Sequence, residues 1–324
     1  MHTLEQLQKR AIEIIDAQNY LAEPLSLYEP IDYGMRQGGK RIRPLLCLIA
    51  AELCGGEREK AEPAAVAVEM LHNFTLLHDD IMDCSPLRRG KPTVFRKYNQ
   101  NKAILSGDAM FACAFKYLLQ CDKEVIPQLT ETLTRGAIEV CEGQGFDMDF
   151  ENRQIVSTDE YLQMIKLKTG VLLSTALRLG AITAKADEKT LNLLDTFGKY
   201  IGIAFQIKDD MLDCWSDLDT FGKVCGADII DRKKTFLYIT ALESATQTQR
   251  QELLSLYENT TLDKDEKIQK VRAIYEQLSV AQKAQKAVEE YNSKAFEALE
   301  QIEVAPQRKA TLIKVAKKLI NRNK

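Results

Sequence analysis

Two short aspartate motifs are the part of this chain most able to carry chemistry. Asp79, Asp80 and Asp83 form one D-D-x-x-D motif, and the same pattern returns at 209–213. Residues three and four apart share one face of a helix, so each motif would gather its carboxylates. Carboxylates this close repel one another unless cations lie between them. The spacing therefore predicts several hard divalent ions held by oxygen ligands, and a polyanionic ligand such as a diphosphate.

A solvated acidic face or a helix end is the alternative explanation for a single motif of this kind. Here there are two copies, each preceded by apolar, helix-periodic sequence and followed by basic residues. Six buried carboxylates without metal would be strongly destabilising. The repetition therefore favours a metal site.

Basic residues beside glycines form a second candidate site. Lys40, Arg41 and Arg43 follow a glycine pair at 38–39, and an arginine pair at 88–89 follows the first aspartate motif. Arginine presents a planar fork that matches phosphate oxygens. We interpret 38–43 as a diphosphate clamp, and a helix C-cap followed by solvated cations is the alternative.

Two polar residues precede the motifs on the same helical faces. His72 lies two turns before Asp79, and Gln206 lies about one turn before the second motif. His72 either contacts a ligand or is a core histidine. Gln206 either binds a phosphate oxygen or a metal-bound water, or caps a buried carbonyl. The His78-Asp79 pair also suggests an HD-type metal phosphohydrolase, but the chain has too few histidines to complete that ligand set.

The elements that position these residues are predicted to be helices. No proline occurs between Pro127 and Pro306, and apolar residues recur at helical spacing through that stretch. Alternating strand patterns are scarce. The pattern predicts an all-α fold, a large single-domain bundle of ten or more helices over 1–324.

Glycines and prolines predict where the helices begin and end. A first helix is expected from Leu4 through a kink near Pro24 and Pro30 to the glycines at 38–39. A second is expected to end at the glycines at 55–56. Loops that carry glycines and basic residues are expected after the motifs, at 84–101 and 216–234.

Composition excludes several function classes. The net charge of -3 gives no reason to expect nucleic-acid binding. The eight cysteines lack C-x-x-C spacing and there are three histidines, so we expect free thiols and no zinc site. The N-terminus does not read as a signal peptide, and the longest apolar run is about half a membrane span. We expect a soluble, cytoplasmic protein.

The ordered set of motifs resembles the trans-isoprenyl diphosphate synthases, the polyprenyl synthetase family of farnesyl, geranylgeranyl and longer-chain enzymes. Matching pieces occur in family order at 38–44, 77–83, 88–93, 107–108, 143–144, 168–170, 205–213, 222–223 and 228–229. Each piece is short, and their order makes the resemblance specific. The chain departs from the family at 226–228, where Gly-Ala-Asp replaces the common Gly-Thr-Asp.

The resemblance implies a role for each candidate residue in an isoprenoid synthase-type bundle around a central cavity. Three Mg²⁺ ions would be held across that cavity by Asp79, Asp80, Asp83, Asp209, Asp210 and Asp213. The allylic diphosphate would bind those ions together with Arg88, Lys168, Thr169, Gln206, Lys223 and Lys233. Isopentenyl diphosphate would bind Lys40, Arg43, His72 and Arg89. The catalytic set would be Asp79, Asp80, Asp83, Lys168, Asp209 and Asp210.

The implied reaction is a Mg²⁺-dependent head-to-tail condensation of an allylic diphosphate with isopentenyl diphosphate. It would proceed by ionisation, condensation and elimination, with the departing pyrophosphate as the candidate acceptor of the proton, so no strong protein base is required. Closure of the two loops would exclude water.

Product length is implied by residues just before the first motif. In the family a bulky residue at the position of Phe74 limits elongation. Phe74 with the small Thr75, and no insertion in the motif, resembles producers of geranylgeranyl diphosphate. A farnesyl or a longer product is the alternative. Phe111 and Phe115 either form part of the channel floor or are ordinary packing.

Two other functions are alternatives to this condensation reaction. A non-catalytic partner subunit would typically have lost one aspartate motif, and both are present. A terpene cyclase would carry an Asn/Asp-x-x-Ser-x-x-x-Glu motif, which does not occur at the expected place. The resemblance also implies a homodimer whose substrates are the two diphosphates, without nucleic acid and without stable membrane insertion.

Overall fold

The computed structural model describes residues 2–215 and 226–321. The first ten α-helices are α1 Leu4–Asp16, α2 Leu25–Met35, α3 Ile42–Leu53, α4 Arg58–Met82, α5 Val94–Tyr98, α6 Gln100–Leu118, α7 Ile126–Glu151, α8 Thr158–Ile165, α9 Val171–Thr183 and α10 Glu188–Trp215. The remaining helices are α11 Ala227–Ile230, α12 Phe236–Ser244, α13 Gln247–Glu258, α14 Lys264–Gln277, α15 Val280–Glu300 and α16 Pro306–Ile320. The predictions of an all-α fold and of ten or more helices are confirmed.

The residues group into two compact units, each assembled from separate stretches of sequence. Unit 1 comprises Met1–Ala137, Leu172–Asp195 and Gln301–Val315, and unit 2 comprises Ile138–Val171, Thr196–Glu300 and Ala316–Lys324. A single domain over 1–324 stays a prediction. None of the helices in the described ranges is both long and apolar enough to cross a bilayer.

The predicted first helix was wrong, because it is two helices. Helix α1 begins with a capping box, in which the Thr3 side chain and Gln6 satisfy each other's backbone N–H groups, and it ends at Asp16. Helix α2 begins directly after Pro24, which has a fixed φ and no N–H to donate, and it continues through Pro30. The predicted end of α3 at the glycines at 55–56 is confirmed.

Helices α3 and α4 form the centre of unit 1 and position the first aspartate motif. Every residue of α3 from Pro44 to Leu53 is buried, which matches its continuous apolar run. Helix α4 is buried through its middle and ends at Met82, with Asp83 as its C-cap. The motif therefore occupies the last turn of a long helix. Helix α6 packs closely on α4 because Gly107 leaves room for the His78 ring, which a Cβ would approach to 2.2 Å.

The segment after the first motif is more ordered than the predicted loop. Leu87–Arg88 pairs antiparallel with Lys91–Pro92, and helix α5 follows. The two connecting residues, Arg89 and Gly90, have φ values of 53° and 75°. Two consecutive positive φ values are typical of the tight hairpin turn that matches strand twist. The run R-R-G-K therefore forms a hairpin where we predicted a loop.

Unit 2 contains a π-helical turn at Lys166–Gly170, between α8 and α9. Helix α8 begins with a capping box formed by Ser157 and Glu160. The second aspartate motif lies near the end of the described part of α10. The second predicted loop, 216–234, lies partly outside the described residues, and its described part contains α11.

Candidate active site

The first aspartate motif combines accessible carboxylates with a buried one. Asp79 is half-buried and Asp83 is exposed, whereas Asp80 is 3% exposed. The Nε of Arg88 lies 2.9 and 3.0 Å from the two carboxylate oxygens of Asp80, and Arg88 Nη2 lies 2.7 Å from Oδ1. Burial raises the pKa of Asp80, and the contact with Arg88 opposes that shift. Asp80 is therefore held by the protein, and its two neighbours face the more open side.

Four arginines and one histidine meet a short distance along the same helix, and we call them the basic cluster: Arg41, Arg43, His72, Arg88 and Arg89. Arg43 Nη1 lies 3.0 Å from His72 Nε2. Arg41 is the member that turns inward, since its Nη1 lies 2.7 Å from Glu69 Oε1 in a buried ion pair. Arg43 and Arg88 are half-buried and Arg89 is exposed, and this group of positive charges is suited to a polyanion.

The electrostatics of the basic cluster keep its histidine neutral. The pKa of His72 is lowered well below its usual value, first by burial and then by Arg43, Arg89 and Arg88. Neutral His72 can accept a hydrogen bond from Arg43. Burial also lowers the pKa of Arg43 to about 10, so its guanidinium stays charged at neutral pH. Its buried Nε has no hydrogen-bond partner among the described residues, which marks a donor available to an anionic ligand.

The glycine pair brings the hairpin arginine to the cluster. Arg89 donates from Nη1 to the Gly38 carbonyl. A Cβ at Gly39 would lie 2.7 Å from the Arg89 guanidinium carbon, so only glycine leaves room for it. Lys40 is exposed on the same segment. Lys40, Arg43, His72 and Arg89 therefore lie on neighbouring parts of unit 1, and their role in binding isopentenyl diphosphate stays a prediction.

A row of aromatic rings leads away from the first motif. The Phe74 ring lies 4.8 Å from His78 and 5.3 Å from Phe111, and Phe111 lies 5.3 Å from Phe115. Phe74, Phe111 and Phe115 are only partly buried. Thr75 donates its hydroxyl back to the His72 carbonyl at 2.8 Å. The aromatic row thus begins at His78, next to the motif, and its role in product length stays a prediction.

The second aspartate motif, in unit 2, has the same division between buried and accessible carboxylates. Asp210 is 4% exposed, and Asp209 is half-buried. Asp210 Oδ2 accepts from the Tyr161 hydroxyl at 2.5 Å and from the Phe236 N–H at 3.1 Å. Its Oδ1 accepts from Gln206 Nε2 at 3.2 Å. Burial, followed by the charge of Asp228, raises the pKa of Asp210, and these donors oppose the shift.

The third aspartate of this motif is joined to the segment that follows it. Asp213 is 8% exposed, and its Oδ2 accepts from the Asp228 N–H at 3.1 Å. Its carbonyl accepts from the Gly226 N–H at 2.7 Å. Lys233 is exposed, with its Nζ 3.9 Å from Asp228 Oδ1. Lys223 lies outside the described residues.

Lys168 and Thr169 lie on the π-helical turn, close to Gln206. Lys168 Nζ donates to Asp147 Oδ2 at 2.6 Å, and Thr169 Oγ1 donates to Gln206 Oε1 at 3.1 Å. π-Bulges inside helices occur frequently at functional sites. The turn therefore presents two of the predicted substrate-binding residues from one irregular segment.

Backbones approach this π-helical turn unusually closely. A Cβ at Gly143 would lie 2.4 Å from the Lys168 nitrogen, and one at Gly202 would lie 2.3 Å from the Gly170 Cα. Both distances are too short for any side chain. Gly143 and Gly202 therefore allow α7 and α10 to pack directly against the turn that carries Lys168 and Thr169.

Comparison with known proteins decides the family. The polyprenyl synthetase family model matches residues 24–278. The chain belongs to the polyprenyl synthetase family. It is 42% identical over 244 residues to a geranylgeranyl diphosphate synthase of Sulfolobus acidocaldarius, covering 74% of each chain. A crystal structure of geranylgeranyl pyrophosphate synthase, 43% identical, matches over 100% of both chains with a TM-score of 0.95.

Two further relatives are similar over most of the chain. A polyprenyl synthase of Caulobacter crescentus was crystallised with calcium and isoprenyl diphosphate; it is 27% identical, covers 99% of this chain and 97% of its own, and has a TM-score of 0.85. A geranylfarnesyl diphosphate synthase of Natronomonas pharaonis is 39% identical over 251 residues, covering 71% and 72% of the two chains. This polyprenyl synthetase is accordingly a prenyltransferase of isoprenoid biosynthesis.

The acidic residues of this polyprenyl synthetase fit the magnesium dependence of its family. Asp79 and Asp83 are one turn apart at the C-terminal end of α4, where the helix dipole is negative, and the last turn contains no basic residue. A cation is favoured there, and carboxylate oxygen is what Mg²⁺ prefers. In the described ranges no three His, Cys, Asp or Glu side chains converge closely enough to hold an ion by themselves.

The HD-type alternative is not supported by the geometry. His78 Nε2 lies 3.2 Å from the Ile104 carbonyl of α6, so this ring nitrogen is used in a contact between two helices. The described cysteines are all free thiols, as expected.

Several residues of this polyprenyl synthetase site were missed by sequence reasoning. Tyr161 and Asp147 contact predicted site residues, and Glu69 neutralises Arg41. Tyr161 lies seven residues before Lys168, a spacing of two helical turns that could have indicated a shared face. Asp147 follows the Gly143-Gln144 piece by one turn. Nothing in the sequence signalled the backbone donor at Phe236.

Proposed function

We propose that this prenyltransferase condenses an allylic diphosphate with isopentenyl diphosphate, head to tail, and releases mainly geranylgeranyl diphosphate. The observation that carries the proposal is the pair of D-D-x-x-D motifs, each anchored by its buried middle aspartate, beside separate cationic groups. The relatives named for geranylgeranyl synthesis support the product assignment.

The allylic diphosphate is proposed to bind through both aspartate motifs. Asp79, Asp83 and Asp209 are the accessible carboxylates, so they are the first candidates to hold metal directly. Asp80, Asp210 and Asp213 complete the predicted set, but each already accepts hydrogen bonds from protein donors. Three Mg²⁺ ions would neutralise the diphosphate and stabilise the pyrophosphate as it leaves. Arg88, Lys168, Thr169, Gln206, Lys223 and Lys233 are proposed to assist on this side.

Isopentenyl diphosphate is proposed to bind three members of the basic cluster, Arg43, His72 and Arg89, together with Lys40. Arg43 offers a buried donor with no protein partner among the described residues, and neutral His72 holds its guanidinium at 3.0 Å. The Arg89 guanidinium lies close to the backbone of Gly39, which places it in the same region as Arg43. Arg41 is excluded from this role because it is paired with Glu69.

The reaction does not require the protein to act as a strong acid or base. The allylic C–O bond breaks, the double bond of isopentenyl diphosphate attacks the resulting cation, and one proton is lost. The departing pyrophosphate is a sufficient acceptor for that proton. The protein's work is to bind both diphosphates, orient the reacting carbons and keep water away from the cation.

Product length is proposed to be set by the aromatic row. Phe74 lies beside the first motif, and Phe111 and Phe115 extend the row. A growing chain that meets Phe74 cannot pass it without moving the ring. The geranylfarnesyl relative makes a product beyond C20 the main alternative, and a farnesyl product is the other.

A homodimer in the cytoplasm is proposed as the working form. Helix α6 exposes Ile104 at 40% and Leu105 at 59%, and Leu119 just beyond it is 67% exposed. Exposed large apolar side chains on one helix are typical of interfaces. Sedimentation at micromolar concentration tests this, since Leu105→Asp should shift a dimer to monomer. A wild-type monomer would contradict it.

The experiment that tests the function is a product assay. Pure protein is incubated with Mg²⁺, farnesyl diphosphate and isopentenyl diphosphate, and the products are separated by chromatography. A linear C20 diphosphate supports the proposal. A cyclic hydrocarbon would indicate a terpene cyclase, and no product with any allylic primer would indicate a non-catalytic subunit.

A further inference from the structure

Tyr161 of α8 makes a short contact to Asp210, the buried middle aspartate of the second motif. The side chain is 3% exposed, and its hydroxyl lies 2.5 Å from Asp210 Oδ2. No predicted substrate or metal role includes Tyr161. Its only described polar partner is this carboxylate, so its hydroxyl serves the second aspartate motif.

Asp210 is the point where three segments of unit 2 meet. Tyr161 contacts it from α8, Gln206 from α10, and the Phe236 N–H from the first residue of α12. Gln206 in turn accepts from Thr169 on the π-helical turn. The orientation of the Asp210 carboxylate is therefore linked by direct hydrogen bonds to a residue proposed to bind the substrate.

The backbone that carries Tyr161 is itself firmly placed. The capping box of Ser157 and Glu160 fixes the start of α8. Thr158 donates from N and Oγ1 to the two carboxylate oxygens of Glu243 on α12, at 3.2 and 2.9 Å. Helices α8 and α12 are thus joined directly, through Thr158 and Glu243, and also indirectly, because Tyr161 and the Phe236 N–H both contact Asp210. A rigid helix is the element on which a group must sit to hold another side chain accurately.

We propose that Tyr161 is a positioning residue for the second aspartate motif, and that its hydroxyl fixes the Asp210 carboxylate and, through Gln206, the Thr169 hydroxyl. The proposal rests on the proposed function, since it assigns the motif to binding a metal-bound diphosphate. It predicts that Tyr161 acts on binding through Asp210 and not through the stability of the fold.

The test uses Tyr161→Phe, which removes the hydroxyl and keeps the ring. The probe is Mg²⁺ with inorganic pyrophosphate, and its dissociation constant is measured by titration calorimetry, independently of turnover. Loss of an outer-shell partner typically weakens metal binding or activity by about 10–100-fold. We expect a dissociation constant raised by about tenfold or more, with the KM for isopentenyl diphosphate unchanged.

The matched control is Tyr257→Phe. Tyr257 is also a buried tyrosine of unit 2, and its hydroxyl lies 2.7 Å from the Tyr275 hydroxyl, so the hydrogen bond removed there does not involve Asp210. The control removes a buried hydrogen bond of similar length. We expect it to lower the thermal midpoint without changing pyrophosphate binding.

Testing Tyr161→Phe in a second background, Asp210→Asn, distinguishes a positioning role of Tyr161 from a purely structural one. In Asp210→Asn the anchoring carboxylate is already altered, so adding Tyr161→Phe should weaken pyrophosphate binding no further. An equal effect of Tyr161→Phe in both backgrounds would overturn the proposal, and so would wild-type binding in Tyr161→Phe. An inactive wild type that still binds magnesium pyrophosphate would contradict only the proposed function.

Discussion

Arg88 and Asp80 form a two-point contact between the hairpin and the end of α4, with Nε 2.9 and 3.0 Å from the two carboxylate oxygens. Asp80 is 3% exposed, so without Arg88 its charge would be buried with little compensation. The contact also holds the hairpin in place, so that Arg89 lies with the other residues of the basic cluster. The Arg88–Asp80 ion pair therefore joins a predicted metal ligand, Asp80, to the hairpin that carries Arg89, a predicted diphosphate ligand.

The first prediction concerns the strength of this pair. Arg88→Met should lower the free energy of unfolding by about 2 kcal/mol, because hydrogen bonds to charged groups contribute about 1.5–3 kcal/mol. The double variant Arg88→Met/Asp80→Asn should recover part of that loss, since it leaves no buried charge. Urea unfolding in metal-free buffer measures wild type, the single variants Arg88→Met and Asp80→Asn, and the double variant. Strictly additive losses would mean that the two side chains do not interact.

The second prediction follows from the lowered pKa of His72. Below the ordinary pKa near 6.5, the unfolded chain binds a proton at this histidine and the folded chain does not. Stability is therefore lost as the pH falls through 6.5, by up to about 1.4 kcal/mol per pH unit. His72→Gln keeps an acceptor for Arg43 but does not titrate.

The measurement is denaturant unfolding at pH 7.5 and pH 5.5. Wild type should lose roughly 1.4 kcal/mol more than His72→Gln between the two values. Other acidic groups contribute equally to both proteins and cancel in the comparison. An identical pH dependence would show that His72 becomes protonated in the folded state as easily as in the unfolded one.

The third prediction concerns product length. Phe74→Ala should lengthen the product, and Phe74→Ala/Phe111→Ala should lengthen it further, because the two rings are in contact at 5.3 Å. Phe146→Ala is the control, since Phe146 is 43% exposed and its ring pairs with Phe150 and not with the aromatic row. Chromatography of the dephosphorylated products gives the distribution. An unchanged distribution in the Phe74 variant would remove the aromatic row from any role in chain length.

The fourth prediction concerns the π-helical turn. A Cβ at Gly202 would lie 2.3 Å from the Gly170 Cα, so Gly202→Ala must displace the turn that carries Lys168 and Thr169. Misplacement of a binding group by about 1 Å can reduce activity by roughly 100-fold. We expect a fall in kcat of at least about tenfold.

Gly145→Ala is the matched control for that variant. Gly145 is also helical, and a Cβ there would meet no atom within 4 Å. It should keep wild-type activity and gain up to about 1 kcal/mol from alanine's better helix propensity. Equal kcat values for Gly202→Ala and Gly145→Ala would contradict the proposed role of the turn.

Much of the fold could be predicted from sequence because its signals are local. Helical apolar periodicity and the scarcity of proline identified an all-α chain, and the Gly55-Gly56 pair gave the end of α3. The split between α1 and α2 was missed because two prolines were interpreted as one kink. The hairpin at 87–92 was missed because its strands are two residues long, too short for an alternating pattern.

The candidate site, like the fold, contains residues that could be predicted from sequence and residues that could not. Residues that must be charged to bind diphosphate or metal could be selected from their type and spacing. Tyr161, Asp147 and Glu69 could not, because their importance arises from contacts between helices that are distant in sequence. Arg41 and Arg43 have the same type and adjacent context, yet only the fold distinguishes the paired arginine from the available one.

The central claim is that both aspartate motifs act on one allylic diphosphate, and the most direct test is a magnesium titration of pyrophosphate release. Asp79→Asn and Asp209→Asn are compared with wild type at saturating isopentenyl diphosphate. We predict that each variant loses about 100-fold or more in kcat and needs more Mg²⁺ for half-maximal rate, since each removes charge stabilisation from the leaving pyrophosphate. A wild-type rate and an unchanged magnesium requirement in either variant would contradict the account.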